Sequence, residues 1–256
     1  MKAKTKTKAL LMSLCAVLLV AASVLGTMAY LTDSKDVKNT FTVGNVTITL
    51  DEAKVDGNGN AIDKQGKRVT NLADAERVPG NAYKLLPGHT YTKDPTVTVL
   101  APSVESYVRM KVTFNKASAL IAMCTDPEFA EVGPTGVENA FPLIRMVKFV
   151  EANAAKWDGI IPDNMVDTEE MLADAKYFDA KNDTLTYYFY YTKPVAAPTE
   201  NVVLPTLFDK ITLPEWVTGD QLKALQGFEI NVVAEAIQAD GFENADDAWV
   251  AFAAQK

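Results

Sequence analysis

The sequence predicts an antiparallel all-β protein with a few short helices, of the jelly-roll or sandwich type, and two stretches of strict alternation carry the prediction. In residues 104–114, Val108, Met110, Val112 and Phe114 fall on one side, and Tyr107, Arg109, Lys111 and Thr113 on the other. In residues 184–192, Leu185, Tyr187, Phe189 and Tyr191 oppose Thr186, Tyr188 and Tyr190. A period of two means a strand with one dry face and one wetter face. The third observation is how few segments have helical spacing.

The remaining elements follow in chain order. Residues 41–50 read as a strand with a break: Phe41 and Val43 share one parity, whereas Val46, Ile48 and Leu50 share the other. A bulge at Gly44-Asn45 would bring both sets to one face. Residues 96–99 and 145–150 are shorter strand candidates, and Phe228, Ile230, Val232 and Ala234 alternate in a late strand. Three helices are expected. Residues 167–176 begin with Asp167 or Thr168 as cap, residues 220–225 make a short turn, and residues 244–253 start at Asn244 with Asp246 and Asp247 in the first turn and present Trp249 and Phe252. Residues 55–67, rich in Gly, Asn, Asp and Lys, and residues 194–205, rich in Pro, read as loops. No internal repeat is present.

The first 29 residues have the order of a secretory signal. Lys2, Lys4, Lys6 and Lys8 precede an apolar run over residues 9–25, and Gly26-Thr27-Met28-Ala29 supplies the small residues of a cleavage site before Tyr30. An uncleaved anchor needs about 20 apolar residues, a length approached only by carrying the run through to Leu31. Removing residues 1–29 takes away four lysines and no acid, so the net charge deepens from −8 to −12. That charge argues against nucleic acid and anionic surfaces as partners. Cys15 lies in the signal segment, which leaves Cys124 alone, so the exported chain has no intrachain disulfide. Within its apolar surroundings Cys124 reads as a buried small hydrophobe rather than a nucleophile.

The search for catalytic chemistry returns little. His89, the single histidine, stands in Leu86-Pro87-Gly88-His89 and reads as a turn residue. No His-Glu-x-x-His, Gly-x-Ser-x-Gly, phosphate-loop or dinucleotide pattern occurs, so no catalytic, cofactor or metal residue is assigned. Asp56-Gly-Asn-Gly-Asn60 imitates the opening of a calcium loop, but Ala61 stands where the sharp turn needs Gly and Lys67 where a bidentate Glu is required. Asp-Gly and Asn-Gly are hairpin dipeptides, and the hairpin reading is preferred. Leu213-Pro-Glu-Trp-Val-Thr-Gly219 has the wrong spacing for a sortase signal, and no apolar tail follows it.

Gly26-Thr-Met-Ala-Tyr30-Leu-Thr-Asp33, followed by Asn39-Thr-Phe-Thr-Val-Gly44-Asn-Val-Thr-Ile-Thr-Leu50, resembles the TasA/camelysin family, whose signal peptides are cut by a SipW-type peptidase. Weaker matches are Leu86-Pro-Gly88 with Thr92-Lys-Asp-Pro-Thr-Val97, Tyr107-Val-Arg-Met-Lys-Val112, and residues 228–249 with Ala234-Glu-Ala-Ile-Gln-Ala239; residues 117–183 are not covered. The resemblance implies a signal peptide over residues 1–29 cut between Ala29 and Tyr30. It implies an extended donor segment over residues 30–43 with Phe41 and Val43 as anchors, and a jelly-roll-like domain with helical insertions over residues 44–256. It further implies a Gram-positive secreted protein that polymerises into biofilm matrix fibres, with itself and other matrix proteins as partners. The protease label attached to some relatives is not carried over, since a single His offers no ligand cluster. A secreted hydrolase and a non-polymerising surface adhesin are the two other classes. The first needs a pocket with a perturbed acid or His, and the second a closed sheet with a ligand groove.

Overall fold

The structure, a computed structural model, describes residues 32–35, 46–124, 146–158 and 177–255. Along them run β1 (Thr32–Lys35), β2 (Thr47–Ala53), β3 (Arg77–Val78), β4 (Thr90–Thr92), β5 (Thr96–Leu100) and β6 (Ser103–Asn115). Helix α1 (Ala117–Cys124), β7 (Val147–Phe149), β8 (Trp157–Asp158), β9 (Phe178–Asp179), β10 (Thr184–Tyr191), β11 (Val195–Ala197), β12 (Val202–Val203) and β13 (Phe208–Thr212) follow. The chain closes with α2 (Gly219–Ala224), β14 (Ile230–Gln238) and α3 (Ala245–Ala253). The signal segment, the cleavage position, Phe41, Val43, the Gly44-Asn45 break and the helix expected over residues 167–176 lie outside the described residues.

The protein is all-β in class, with short helices, and every strand pairing is antiparallel. The largest sheet runs β1-β14-β6-β10-β8, with β11 also on β6 and β9 on β10; a second runs β12-β5-β2-β3 and a third β4-β13-β7. The alternation in β6 explains its central place. Val108, Met110, Val112 and Phe114 are all buried, opposite Ala236, Ala234, Val232 and Ile230 of β14 and Phe189, Tyr187 and Leu185 of β10. Opposed residues in an antiparallel pair share a face, so three strands contribute one continuous apolar surface. It packs with Val46, Ile48, Val97 and Val99 from the second sheet in a single core cluster, the arrangement of a sandwich.

The other face of the large sheet is not simply wet. Helix α3 lies on it, and Trp249, Phe252 and Ala248 form a second apolar cluster with Ile237 of β14. Asn244 caps this helix as expected, its Oδ1 accepting the Asp247 N–H at 3.0 Å. In α2 the cap is Thr218, which forms a reciprocal capping box with Gln221.

Three segments differ from the sequence reading. The Pro-rich stretch 194–205 holds β11 and β12, short edge pieces on β6 and β5 bounded by Pro194, Pro198 and Pro205. Proline confines strands to such lengths and to edges. Residues 117–124 form a helix, its N-terminus held by Asp183, whose Oδ1 accepts the Ser118 N–H at 2.8 Å and the Ser118 hydroxyl at 2.7 Å. Finally Thr32–Lys35, within the segment 30–43 expected to be an extended donor segment, is an edge strand on the chain's own β14.

The Ser118 hydrogen bonds hold the Asp183 carboxyl below its ordinary value, with Lys116 adding a smaller attraction. Because the folded pKa is depressed, the stabilisation is complete above the unfolded value of about 3.9 and is lost as the pH falls towards the folded one. Asp183→Ala should remove a cap worth about 1 kcal/mol at neutral pH. Thermal melts of the two proteins should differ there and converge at acidic pH.

Candidate functional site

Phe41 and Val43 lie outside the described residues; β14, whose edge carries β1, lies within them. Ala239 N–H donates to Glu105 O and Asn115 N–H donates to Glu229 O. In an antiparallel ladder this means that odd-numbered residues of β14 turn their main-chain groups towards β6, and even-numbered residues turn theirs to the opposite edge. On that edge Ala236 and Ala234 face Asp33 and Lys35 of β1. Ile230 and Val232 face no strand among the described residues. Among the described residues, half of the β14 edge is thus covered by a strand and half is not.

A groove of about 650 Å³ lies along the open half, lined by Tyr83, Leu85, Tyr91, Ile211, Phe228 and Ile230, among others. A smaller cleft continues it past Leu50, Glu52, Pro79 and Val232. The irregular chain between β3 and β4 forms the far wall, and a set of buried polar contacts fastens that wall to β2. Lys93 Nζ lies 2.6 Å from Glu52 Oε2, and both residues are buried. Asn81 donates to Glu52 Oε1 at 2.8 Å and to Ala53 O at 2.9 Å, and accepts the Val55 N–H at 3.0 Å. Asp94 accepts from the Ala53 N–H and from Arg77. Burial pushes its carboxyl up, against the pull of those two donors.

The tyrosines are equally committed. Tyr83 donates to Thr92 O at 2.9 Å; burial, and then the charge of Glu52, raise its hydroxyl well above the ordinary value. Tyr91 donates to Lys84 O at 2.6 Å and accepts the Leu86 N–H at 2.7 Å. These polar side chains are therefore spent on the protein itself. What the groove offers an incoming group is apolar wall, the exposed Glu229 and Asn231, and the main-chain edge of Ile230 and Val232, a surface suited to an extended peptide.

The other residues singled out by sequence have structural roles here. His89 sits in the turn, its N–H on Leu86 O and its Nε2 donating to Asn58 O at 2.7 Å. Asp56 accepts the N–H groups of Asn58 at 2.8 Å and Asn60 at 3.0 Å, and Arg68 Nε at 2.7 Å. Its slight burial raises the pKa, but these donors outweigh it and hold the carboxyl at about 2. Gly59, at φ +78°, makes the turn that the hairpin dipeptides predict. Among the described residues no group of three or more His, Cys, Asp or Glu is placed to hold a metal ion, and no helix is long and apolar enough to cross a membrane.

Phe228, Ile230 and Val232 were visible in sequence as an alternating set. Tyr83, Asn81 and Lys93 were not, since they belong to irregular or very short segments without period, brought together by tertiary contacts alone. Comparison with protein-family models, curated proteins and solved structures gives no match.

Proposed function

We propose that this chain is an exported structural protein that polymerises into extracellular fibres of a biofilm matrix, each subunit lending its N-terminal segment to the sheet of the next. It would be a jelly-roll-like module of a Gram-positive cell surface or matrix, with its own copies and other matrix proteins as partners. The observation that carries the reading is the β14 edge. It is closed over four residues by a strand of sequence Thr-Asp-Ser-Lys, which belongs to the N-terminal segment, and no other described strand pairs with it at Ile230 and Val232. An uncovered edge is a template for another chain, and proteins that stay monomeric blunt theirs. A short polar strand close to the expected cleavage position is an element that exchanges at little cost.

The test is electron microscopy of the secreted protein. Fibres are expected; a protein that stays monodisperse at all concentrations tried defeats the reading and favours the adhesin. N-terminal sequencing of the same material should begin at Tyr30, and a lysine-rich start would show that the signal segment is retained.

The reading assigns no hydrolytic activity. His89→Ala should secrete, melt and assemble like the parent, with a small cost from the lost bond to Asn58. A peptidase activity of the parent that vanishes in this variant would reverse the assignment.

A further inference from the structure

We propose that the side chains of Lys93 and Asn81 join in an intramolecular amide bond, with Glu52 moving the protons. Such a reaction needs an amine that can shed its proton, a polarised carboxamide and a proton carrier that touches both, in a place sheltered from water. All of these meet at one point of the wall beside β2.

Glu52 lies on β2 at 3% exposure, and Lys93, between β4 and β5, at 7%. Lys93 Nζ donates to Glu52 Oε2 at 2.6 Å, and Asn81 Nδ2 donates to Glu52 Oε1 at 2.8 Å. The two reacting groups therefore meet on the two oxygens of one buried carboxylate. Asn81 is held on its other sides as well. Its Nδ2 also donates to Ala53 O at 2.9 Å, and its Oδ1 accepts the Val55 N–H at 3.0 Å. That N–H is aimed at the oxygen on which charge develops when the amide carbon is attacked, the task of an oxyanion hole. The Tyr83 ring, its centre 5.8 Å from Nζ, packs against the amine. Lysine is the residue the step requires. An amine can release a proton to a carboxylate and then act as a nucleophile, whereas a guanidinium stays charged. Arg77 nearby, held by Asp51 and Asp94, accordingly makes ion pairs and nothing more.

The step balances without an outside reagent. The Lys93 ammonium gives one proton to Glu52 Oε2. The freed electron pair forms a bond to Asn81 Cγ, and the carbonyl electrons move onto Oδ1. Glu52 passes its proton through Oε1 to Nδ2 and takes a second one from the attacking nitrogen. The carbonyl re-forms, the bond from Cγ to Nδ2 breaks and ammonia departs. A cleft of about 110 Å³, lined by Glu52, Asn81 and Lys93, lies beside the leaving group. The product holds an amide and a neutral carboxyl where an ion pair stood, which removes the desolvation cost of two buried charges. The bond closes a ring over residues 81–93 and fixes the wall of the groove. It needs no second copy and forms whether or not fibres do.

The test is a tryptic digest of the purified protein read by mass spectrometry. Cleavage follows Arg77, Lys84 and Arg109, and an acylated Lys93 is not cut. The expected product is residues 78–84 joined to residues 85–109, lighter than the two peptides together by the mass of one ammonia. Lys93→Arg and Asn81→Ala should yield no joined peptide, and the second of these keeps the pair of Lys93 with Glu52. In Glu52→Gln the joined peptide should form about a hundredfold more slowly, the contribution of a positioned proton carrier. Should Glu52→Gln fail to melt cooperatively, Glu52→Asp tests the same role, because it keeps the charge but draws it back from the two groups. Residues 78–84 and 85–93 recovered from the parent as separate peptides at their sequence masses overturn the proposal. Loss of ammonia from residues 78–84 alone, persisting in Lys93→Arg, also overturns it, since Asn81 has then closed on its own backbone. Joining at the parent's rate in both Glu52 variants removes Glu52 from the reaction.

Discussion

Secreted protein lacking residues 30–43 should be a soluble, folded monomer that makes no fibres. The deletion removes β1 from the sheet edge, yet removes no described member of the main core cluster, the first of which is Val46. The melting temperature should therefore fall modestly while assembly disappears. Phe41→Asp should reproduce the assembly defect in the full-length secreted chain. Burial of a phenylalanine contributes about 1.5–3 kcal/mol, and its replacement by a carboxylate adds the cost of bringing an unpaired charge to an apolar wall. At about 1.4 kcal/mol per factor of ten, the concentration needed for assembly should rise at least a hundredfold, which light scattering across a dilution series would register. Fibres from the truncated protein at the normal rate would remove the N-terminal segment from the mechanism altogether.

The period-two strands were legible because each is long and buried on one side. The expected faces of β6, β10 and β14 are the ones found, down to Val108, Met110, Val112 and Phe114 in the core. Likewise the Asn244 cap and the Thr96–Leu100 strand needed only local chemistry. What escaped the sequence had no local signature. Thr32–Lys35 is a strand through the edge it meets, not through its own pattern. Helix α1 is apolar at seven of its eight positions, all but Ser118, which gives no face to recognise. The groove is the extreme case. The groove beside β14 depends on Tyr83, Asn81 and Lys93 being tied to β2, and on β1 covering, among the described residues, only half of β14. Both are facts of tertiary structure.

Arg109 gives the second large effect. Alternation put it on the wetter face of β6, and it is instead 9% exposed beneath α3. Its Nε and Nη2 both reach Glu235 Oε2, at 2.7 and 2.6 Å, and Glu235 is itself 1% exposed. The guanidinium lies 4.2 Å from the Trp249 ring centre, 5.0 Å from Tyr188, 5.2 Å from Phe252 and 5.7 Å from Tyr190. Such contacts contribute up to about 2 kcal/mol each when desolvated. Removing one partner of a buried pair costs about 3–5 kcal/mol, because the other charge stays buried and uncompensated. Arg109→Ala and Glu235→Ala should each lower the unfolding free energy read from urea titration by that margin, a large part of the roughly 5–15 kcal/mol typical of a folded protein. Arg109→Met combined with Glu235→Leu should recover most of the loss, since it leaves no orphaned charge under the helix. The same position bears on assembly, because Glu235 is opposed to Ser34 of β1 and Ile237, in the α3 cluster, to Thr32. Loosening α3 by Trp249→Ala should therefore weaken the half of β14 that β1 covers and raise the rate of strand exchange. If exchange is unchanged in that variant while stability falls, the helix serves only to cover the sheet.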